Sequence, residues 1–154
     1  MPPTAPRVSA DVKALTDAIT QLRRVLRAGI RSDYPWESLP MAQVELLQCL
    51  RDHEPSGIRI GAVAAQLHLA PATTSGLVQQ LVDAGTARRA PDPSDRRATV
   101  VRLTPAGTRQ LRGWQAAHEH RLGAAMRKLP AADRTAIRAA LPALQALVSE
   151  LAAG

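Results

Sequence analysis

Apolar residues recur along most of this chain at intervals of three and four, and one short β-prone run interrupts them. Leu15, Ile19, Leu22, Leu26 and Ile30 follow at spacings of four, three, four and four, with Ser9 ahead of them as a cap. This predicts a long amphipathic helix over 10–31, with Arg23, Arg24, Arg27 and Arg31 on its other face. Tyr34-Pro35-Trp36 breaks it, and Met41, Val44, Leu47 and Leu50 predict a second helix over 40–53. Pro55-Ser56-Gly57 reads as a turn, and Ile58-Arg59-Ile60 as a short β-prone piece.

A small helix over 61–69 is expected next, with Val63, Ala64 and Leu67 inward. Pro71 then opens another helix at its first turn, with Thr74, Leu77, Val78 and Leu81 inward and Gly85 as its stop. Two short helices joined by a tight turn make a helix-turn-helix, whose second helix is the one that enters a DNA major groove. Residues 87–91 and 98–103 are the two expected wing strands, with a Pro/Asp/Ser turn carrying Arg96 and Arg97 between them. Thr104-Pro105 marks a helix start. A long helix is expected from 104 to about 129 through Leu111, Trp114, His118 and Leu122. Pro130 opens a last one, striped by Ile137, Leu141, Leu144, Leu147 and Leu151 and interrupted by Pro142, which should bend it or loosen a hydrogen bond.

The fold class is therefore mostly α with a small β-wing: a winged helix-turn-helix with long N- and C-terminal dimerisation helices. The expected divisions are a flexible tail at 1–9, a dimerisation helix at 10–34, the DNA-binding domain at 36–103 and dimerisation helices at 104–154. The terminal stripes exceed what one small domain covers, so a symmetric homodimer is expected.

Charge sharpens this picture. Formal net charge is +7 over 154 residues, with a pI near 11.1, which favours a polyanionic partner. The window 86–112 holds seven arginines against Asp92 and Asp95, and so +5 of that +7. The aromatics are only Tyr34, Trp36 and Trp114, too few for the base-stacking platforms of single-strand binders. Double-stranded DNA is the expected partner.

Other chemistry is thinly represented. No Gly-rich phosphate loop, Ser elbow or metal-ligand spacing occurs, so neither an enzyme nor a cofactor or metal is expected. His118 and His120 stand two apart and face different sides of a helix, while His53 and His68 stand alone. Cys49 lies mid-helix among leucines and reads as a buried structural thiol rather than a redox sensor. A lone cysteine fits a reducing, cytoplasmic location. No secretory core and no run of about 18 uninterrupted apolar residues is present, so no membrane association is expected.

The order of elements, with Val63-Ala64-x-x-Leu67, Leu77 to Gly85, Arg89-x-x-Asp92-Pro93-x-Asp95-Arg96-Arg97 and Val101-x-Leu103-Thr104-x-x-Gly107, resembles the MarR family (multiple antibiotic resistance regulators) over nearly the whole chain. The resemblance implies a dimeric, usually repressing transcription factor on pseudo-palindromic duplex DNA. It also implies a small-molecule effector or an oxidant acting between the dimerisation helices and the DNA-binding lobe. The redox branch carries its cysteine near the first helix, which has none here.

In the family's terms, Arg97 is the minor-groove arginine and Asp95 the wing aspartate that orients it. A guanidinium suits the narrow, negative groove of A·T-rich DNA, and Arg96 suits a phosphate. The expected recognition helix departs from the family: it has no Lys or Arg, and Gly76 stands where many relatives carry an arginine. Ala72, Thr73, Ser75 and Gln79 remain on its outer face. Gln79 can pair with adenine, and Thr73 or Ala72 can touch a thymine methyl, so an A·T-leaning site is expected. Tyr34, Trp36 and Trp114 either anchor the core or line the effector cleft. A constitutive or architectural DNA-binding protein without a small-molecule switch is the alternative function.

Overall fold

Ser9 caps the first helix by accepting the Val12 amide on its hydroxyl at 3.2 Å, which satisfies one of the donors a helix start leaves open. The computed structural model describes residues 9–33 and 39–153. The break expected at Tyr34-Pro35-Trp36 and nearly all of the expected tail lie outside the described residues. Six helices and two strands follow in order among them: α1 Ala10–Asp33, α2 Met41–Asp52, α3 Ile60–Gln66, α4 Pro71–Asp83, β1 Ala87–Asp92, β2 Asp95–Leu103, α5 Pro105–Arg127 and α6 Ala131–Ala153.

The core forms where the predicted faces of α2, α3 and α4 meet β2. Val44, Leu46, Leu47, Leu50, Val63, Val78, Leu81 and Val101 are buried in one cluster with Leu103 and Leu111. Met41, Leu67 and Leu77, expected inward, pack at its margin. Thr74 is also fully buried, and its hydroxyl donates to the Ala70 carbonyl at 3.1 Å, so its polar atom is not left without a partner.

The β-prone piece at Ile58-Arg59-Ile60 divides. Ile58 exchanges backbone hydrogen bonds with Val101 as an isolated antiparallel bridge, whereas Ile60 is the first residue of α3. Glu54, in the preceding turn, ties this bridge region to β2 by accepting Arg102 at 2.8 Å and the Leu103 amide at 3.0 Å. Burial pushes the Glu54 carboxyl up, but these hydrogen bonds outweigh it and hold its pKa below the usual value.

The Leu103-Thr104-x-x-Gly107 motif acts as a clasp. Thr104 caps α5 by accepting the Gly107 amide at 3.1 Å, while its own hydroxyl donates to the Gly85 carbonyl at 2.7 Å. Its amide donates to the Thr86 carbonyl at 3.1 Å. A β-carbon on Gly107 would run into that same Thr86 carbonyl, so only glycine lets α5 approach the α4–β1 turn this closely. Gly85 supplies that turn with a φ of 73°, the left-handed stop expected of it.

The chain divides into two compact units, Met1–His118 and Glu119–Gly154. The first half of α5, where Gly107, Leu111 and Ala117 are buried, falls in the first unit. In the first unit, α1 buries only Gly29 and Ile30, and Leu15, Ile19 and Leu22 of its predicted seam stand exposed. In the second, α6 runs through Pro142 and buries no residue at all. Its stripe of Ile137, Leu141, Leu144, Leu147 and Leu151 is open, Leu151 to 75%. By length and composition alone, α6 is long and apolar enough to cross a membrane. Its apolar residues keep to a stripe, with Arg138, Gln145 and Glu150 off it, the pattern of a helix that packs on another helix.

Candidate nucleic-acid interface

α4 turns its buried residues, Thr74, Val78 and Leu81, to the core at helical spacing, which leaves Ala72, Thr73, Ser75, Gly76 and Gln79 on the other side. Pro71 stands at its first turn, after an extended Ala70. These five residues therefore form one outward face, without a cation of its own. Space around Gly76 is open, with nothing within 4 Å of where a β-carbon would stand.

β1 and β2 form the antiparallel wing, running from Ala87↔Leu103 to Pro91↔Thr99 and then jumping to Asp92↔Asp95. Arg96, Arg97 and Ala98 thus stand on β2 with no counterpart on β1. The two arginines sit on a bulge within a strand, not in the turn expected from sequence, and both are exposed. Bulges re-aim side chains, and the residues left unpaired here include two exposed arginines.

The wing tip is latched by a residue that sequence reasoning missed. Arg59, at the N-terminal cap position of α3, donates through Nε to Asp92 Oδ2 at 2.7 Å and lies 3.6 Å from Asp95 Oδ2. Asp92 Oδ1 also accepts the Ser94 hydroxyl at 2.7 Å and the Ser94 amide at 2.8 Å. The Ser94 hydroxyl and amide, followed by Arg59, hold the Asp92 carboxyl down to a pKa of about 2. Asp95 accepts the main-chain amide of Arg97 at 3.0 Å, so its contact with the arginine is through the backbone. Among the described residues, neither Arg96 nor Arg97 has an ion-pair partner, because Arg59 takes up the two wing carboxylates.

Arg89 is the second missed residue. From β1 it donates to Gln79 Oε1 at 2.9 Å, and Gln79 Nε2 donates to Asp83 Oδ1 at 2.7 Å. The wing thus lends a guanidinium to the face of a helix that has none. The motif Arg89-x-x-Asp92 singled out Arg89 over Arg88 but gave no sign that it would cross to α4.

Trp114 packs at the margin of the core and also lines a pocket with Arg27, Ile30, Arg31, Leu39, Met41 and His118. Tyr34 and Trp36, the other two residues considered for a cleft, lie outside the described residues. His118 is held by its Nδ1 contact with the Trp114 carbonyl at 2.8 Å and rests against the Trp114 ring. No group of three or more potential metal ligands occurs among the described residues. Cys49 is 2% exposed, and burial, with Asp52 nearby, pushes its thiol up, the reverse of a reactive thiolate.

A helix-turn-helix with an outward second helix and an arginine-bearing wing defines a winged-helix DNA-binding regulator. Residues 39–99 match the model of the MarR family. An HTH-type transcriptional regulator of Mycobacterium tuberculosis (strain CDC 1551 / Oshkosh) is 24% identical over 143 residues, covering 93% of this chain and 98% of that one. RV1404 from Mycobacterium tuberculosis superposes with a TM-score of 0.72 at 26% identity over 93% of this chain and 97% of its own. A mutant of S. aureus MepR, bound to an oligodeoxyribonucleotide, has the same fold, with a TM-score of 0.65 at 17% identity over 89% of this chain and 97% of its own. Residues 39–99 are thus similar to the MarR family, and the chain over most of its length is similar to HTH-type transcriptional regulators.

Proposed function

We propose that this regulator is a homodimeric repressor of pseudo-palindromic duplex DNA, with α4 of each copy in a major groove and each wing in the adjacent minor groove. The observation that carries this reading is the bulge that leaves Arg96 and Arg97 exposed near the tip of the wing, on a chain whose α4 also turns a polar face outward. Arg97 inserts in the minor groove, Arg96 meets phosphate, and Asp95 fixes the backbone between them. Ala72, Thr73, Ser75, Gly76 and Gln79 face the bases. Half-site centres then lie about 10 bp apart, one helical turn. A relative of the same fold captured on an oligodeoxyribonucleotide supports the partner. The open stripes of α1 and α6 support the second copy, and lone Cys49, buried as a free thiol, accords with a cytoplasmic location.

A ligand switch would use the pocket lined by Arg27, Ile30, Arg31, Leu39, Met41, Trp114 and His118, which at about 30 Å³ has to open before it takes more than a water. Its walls join α1 to α2 and α5, so a ligand that prefers one spacing of these helices would shift the population of DNA-competent dimers. The absence of any cation on α4 favours a second reading, a constitutive DNA-binding protein whose wing does most of the work.

The test is a titration of duplex DNA, monitored by fluorescence anisotropy, with oligomeric state followed by sedimentation. Dimer-dependent binding at low salt is expected; its absence would remove the proposal. A small molecule that releases DNA would dismiss the constitutive reading, and substitution of Trp114 should weaken that release.

A further inference from the structure

Gln79 is held by charge at both ends of its amide. Arg89 Nη1 donates to its oxygen at 2.9 Å, and its nitrogen donates to Asp83 Oδ1 at 2.7 Å. Rotating the amide by half a turn would set its NH2 group against a guanidinium and its oxygen against a carboxylate. Both contacts would become repulsive, so the pair of opposite charges selects one orientation. Both hydrogen bonds lie at the surface, and the three side chains come from different places: two turns of α4 and the neighbouring wing strand.

The chain of bonds does not exhaust the amide. A carboxamide has two acceptor lone pairs and two N–H donors, and the network uses one of each. One acceptor and one donor remain. Adenine presents N7 as an acceptor and N6–H as a donor on its major-groove edge, and a glutamine reads it with one donor and one acceptor. A free glutamine would have to give up side-chain rotamer freedom to make that pair; here the ordering is already present in the protein.

We infer that Arg89 and Asp83 are positioning residues that lock the Gln79 carboxamide in the orientation that reads adenine in each half-site. This rests on the proposed placement of α4 in the major groove. It explains how a recognition helix without a basic residue reads sequence, with the wing supplying the guanidinium that sets the reading group rather than a guanidinium that reads. Asp83, the one charge on α4, is then an orienting group, and its repulsion of phosphate is offset by Arg89.

The experiment starts from a duplex selected by the wild-type protein. Each base pair of a half-site is replaced in turn, and affinities are measured for wild type, Gln79→Ala, Arg89→Ala, Asp83→Ala and the Gln79→Ala/Arg89→Ala double variant. Wild type should discriminate for adenine at one base pair by about tenfold or more, and Gln79→Ala should abolish the discrimination there. Arg89→Ala and Asp83→Ala should each reduce it severalfold at that same pair. Arg89→Ala should also lower affinity for every duplex, through its lost charge, but should alter no base preference once Gln79 is alanine. A further change of preference in the double variant would mean that Arg89 reads a base itself, and would overturn the inference. So would discrimination that survives Arg89→Ala and Asp83→Ala, or a selected site with no base pair that responds to Gln79→Ala. In those cases DNA binding by the dimer stands. Selection of no duplex by wild type would overturn the inference and the proposed function together.

Discussion

The wing and the recognition helix divide one task between them. The wing carries Arg88, Arg89, Arg96, Arg97 and Arg102 on two strands, whereas α4 carries no cation along its thirteen residues. The wing is braced by ionic contacts from Arg59 and Glu54; α4 is braced by apolar burial of Val78 and Leu81. Electrostatic attraction to phosphate is insensitive to sequence, and contacts from a neutral helix face add little to affinity but depend on the base. In the proposed binding mode this separates holding from reading, with the Arg89–Gln79 hydrogen bond linking the two regions.

In the proposed dimer both regions act in two copies, so the largest effect should come from removing the pairing. Leu144→Glu on the open stripe of α6 should leave the winged core folded, give a monomer by sedimentation, and weaken binding to an inverted repeat by about 100-fold or more, since two linked sites bind as one. Arg97→Ala should come next, with affinity for the preferred site lower by about tenfold and the salt slope shallower by about 1 per wing. That slope, measured by titration at several salt concentrations, separates a holding residue from a reading one. Gly107→Ala should strike the clasp behind both regions and cost about 1–3 kcal/mol in thermal or denaturant unfolding, as forced overpacking does.

The remaining two effects are smaller and distinguish the regions by their bracing. Because the folded-state pKa of Asp92 lies below its ordinary 3.8, at about 2, the wing latch contributes stability that is complete above about pH 4. It declines as pH falls below about 4 and is gone once pH has fallen through about 2. The Ser94 amide resonance, followed by NMR, should titrate with its midpoint near 2; a midpoint at the ordinary carboxylate value of about 4 would mean that the latch does not form. Gly76→Ala should raise stability by about 0.5–1 kcal/mol, since the position is helical and a β-carbon there meets open space. If the same variant loses DNA affinity, the α4 backbone approaches the bases closely at that point.

The elements themselves were legible because their signals are local. Ser9 and Thr104 act as the caps they resemble, Pro71 opens α4 and Gly85 closes the turn after it, and the helical spacing of Thr74, Val78 and Leu81 foretold which side of α4 would be covered. What was not legible depends on pairs that no periodicity links. Arg59 and Asp92 stand 33 residues apart, and nothing in either neighbourhood distinguishes that arginine from the others. Arg89 stands in the wing motif, but nothing near it in sequence points to Gln79, ten residues earlier. The bulge is equally hidden, because Arg96 and Arg97 read the same in a turn as in an irregular strand. The half of α5 that joins the core shows the same limit, since one apolar stripe continues from Leu111 to Leu122 across the division between units.

The most direct test of the account selects bound duplexes from a random pool at two salt concentrations, with wild type and Arg97→Ala in parallel. The account predicts a palindromic, A·T-leaning site with half-sites about 10 bp apart, steep salt dependence, and marked weakening by Arg97→Ala with little change in the sequence selected. Unspecific binding that persists equally in both proteins, or strong selection of a G·C-only half-site, would contradict it.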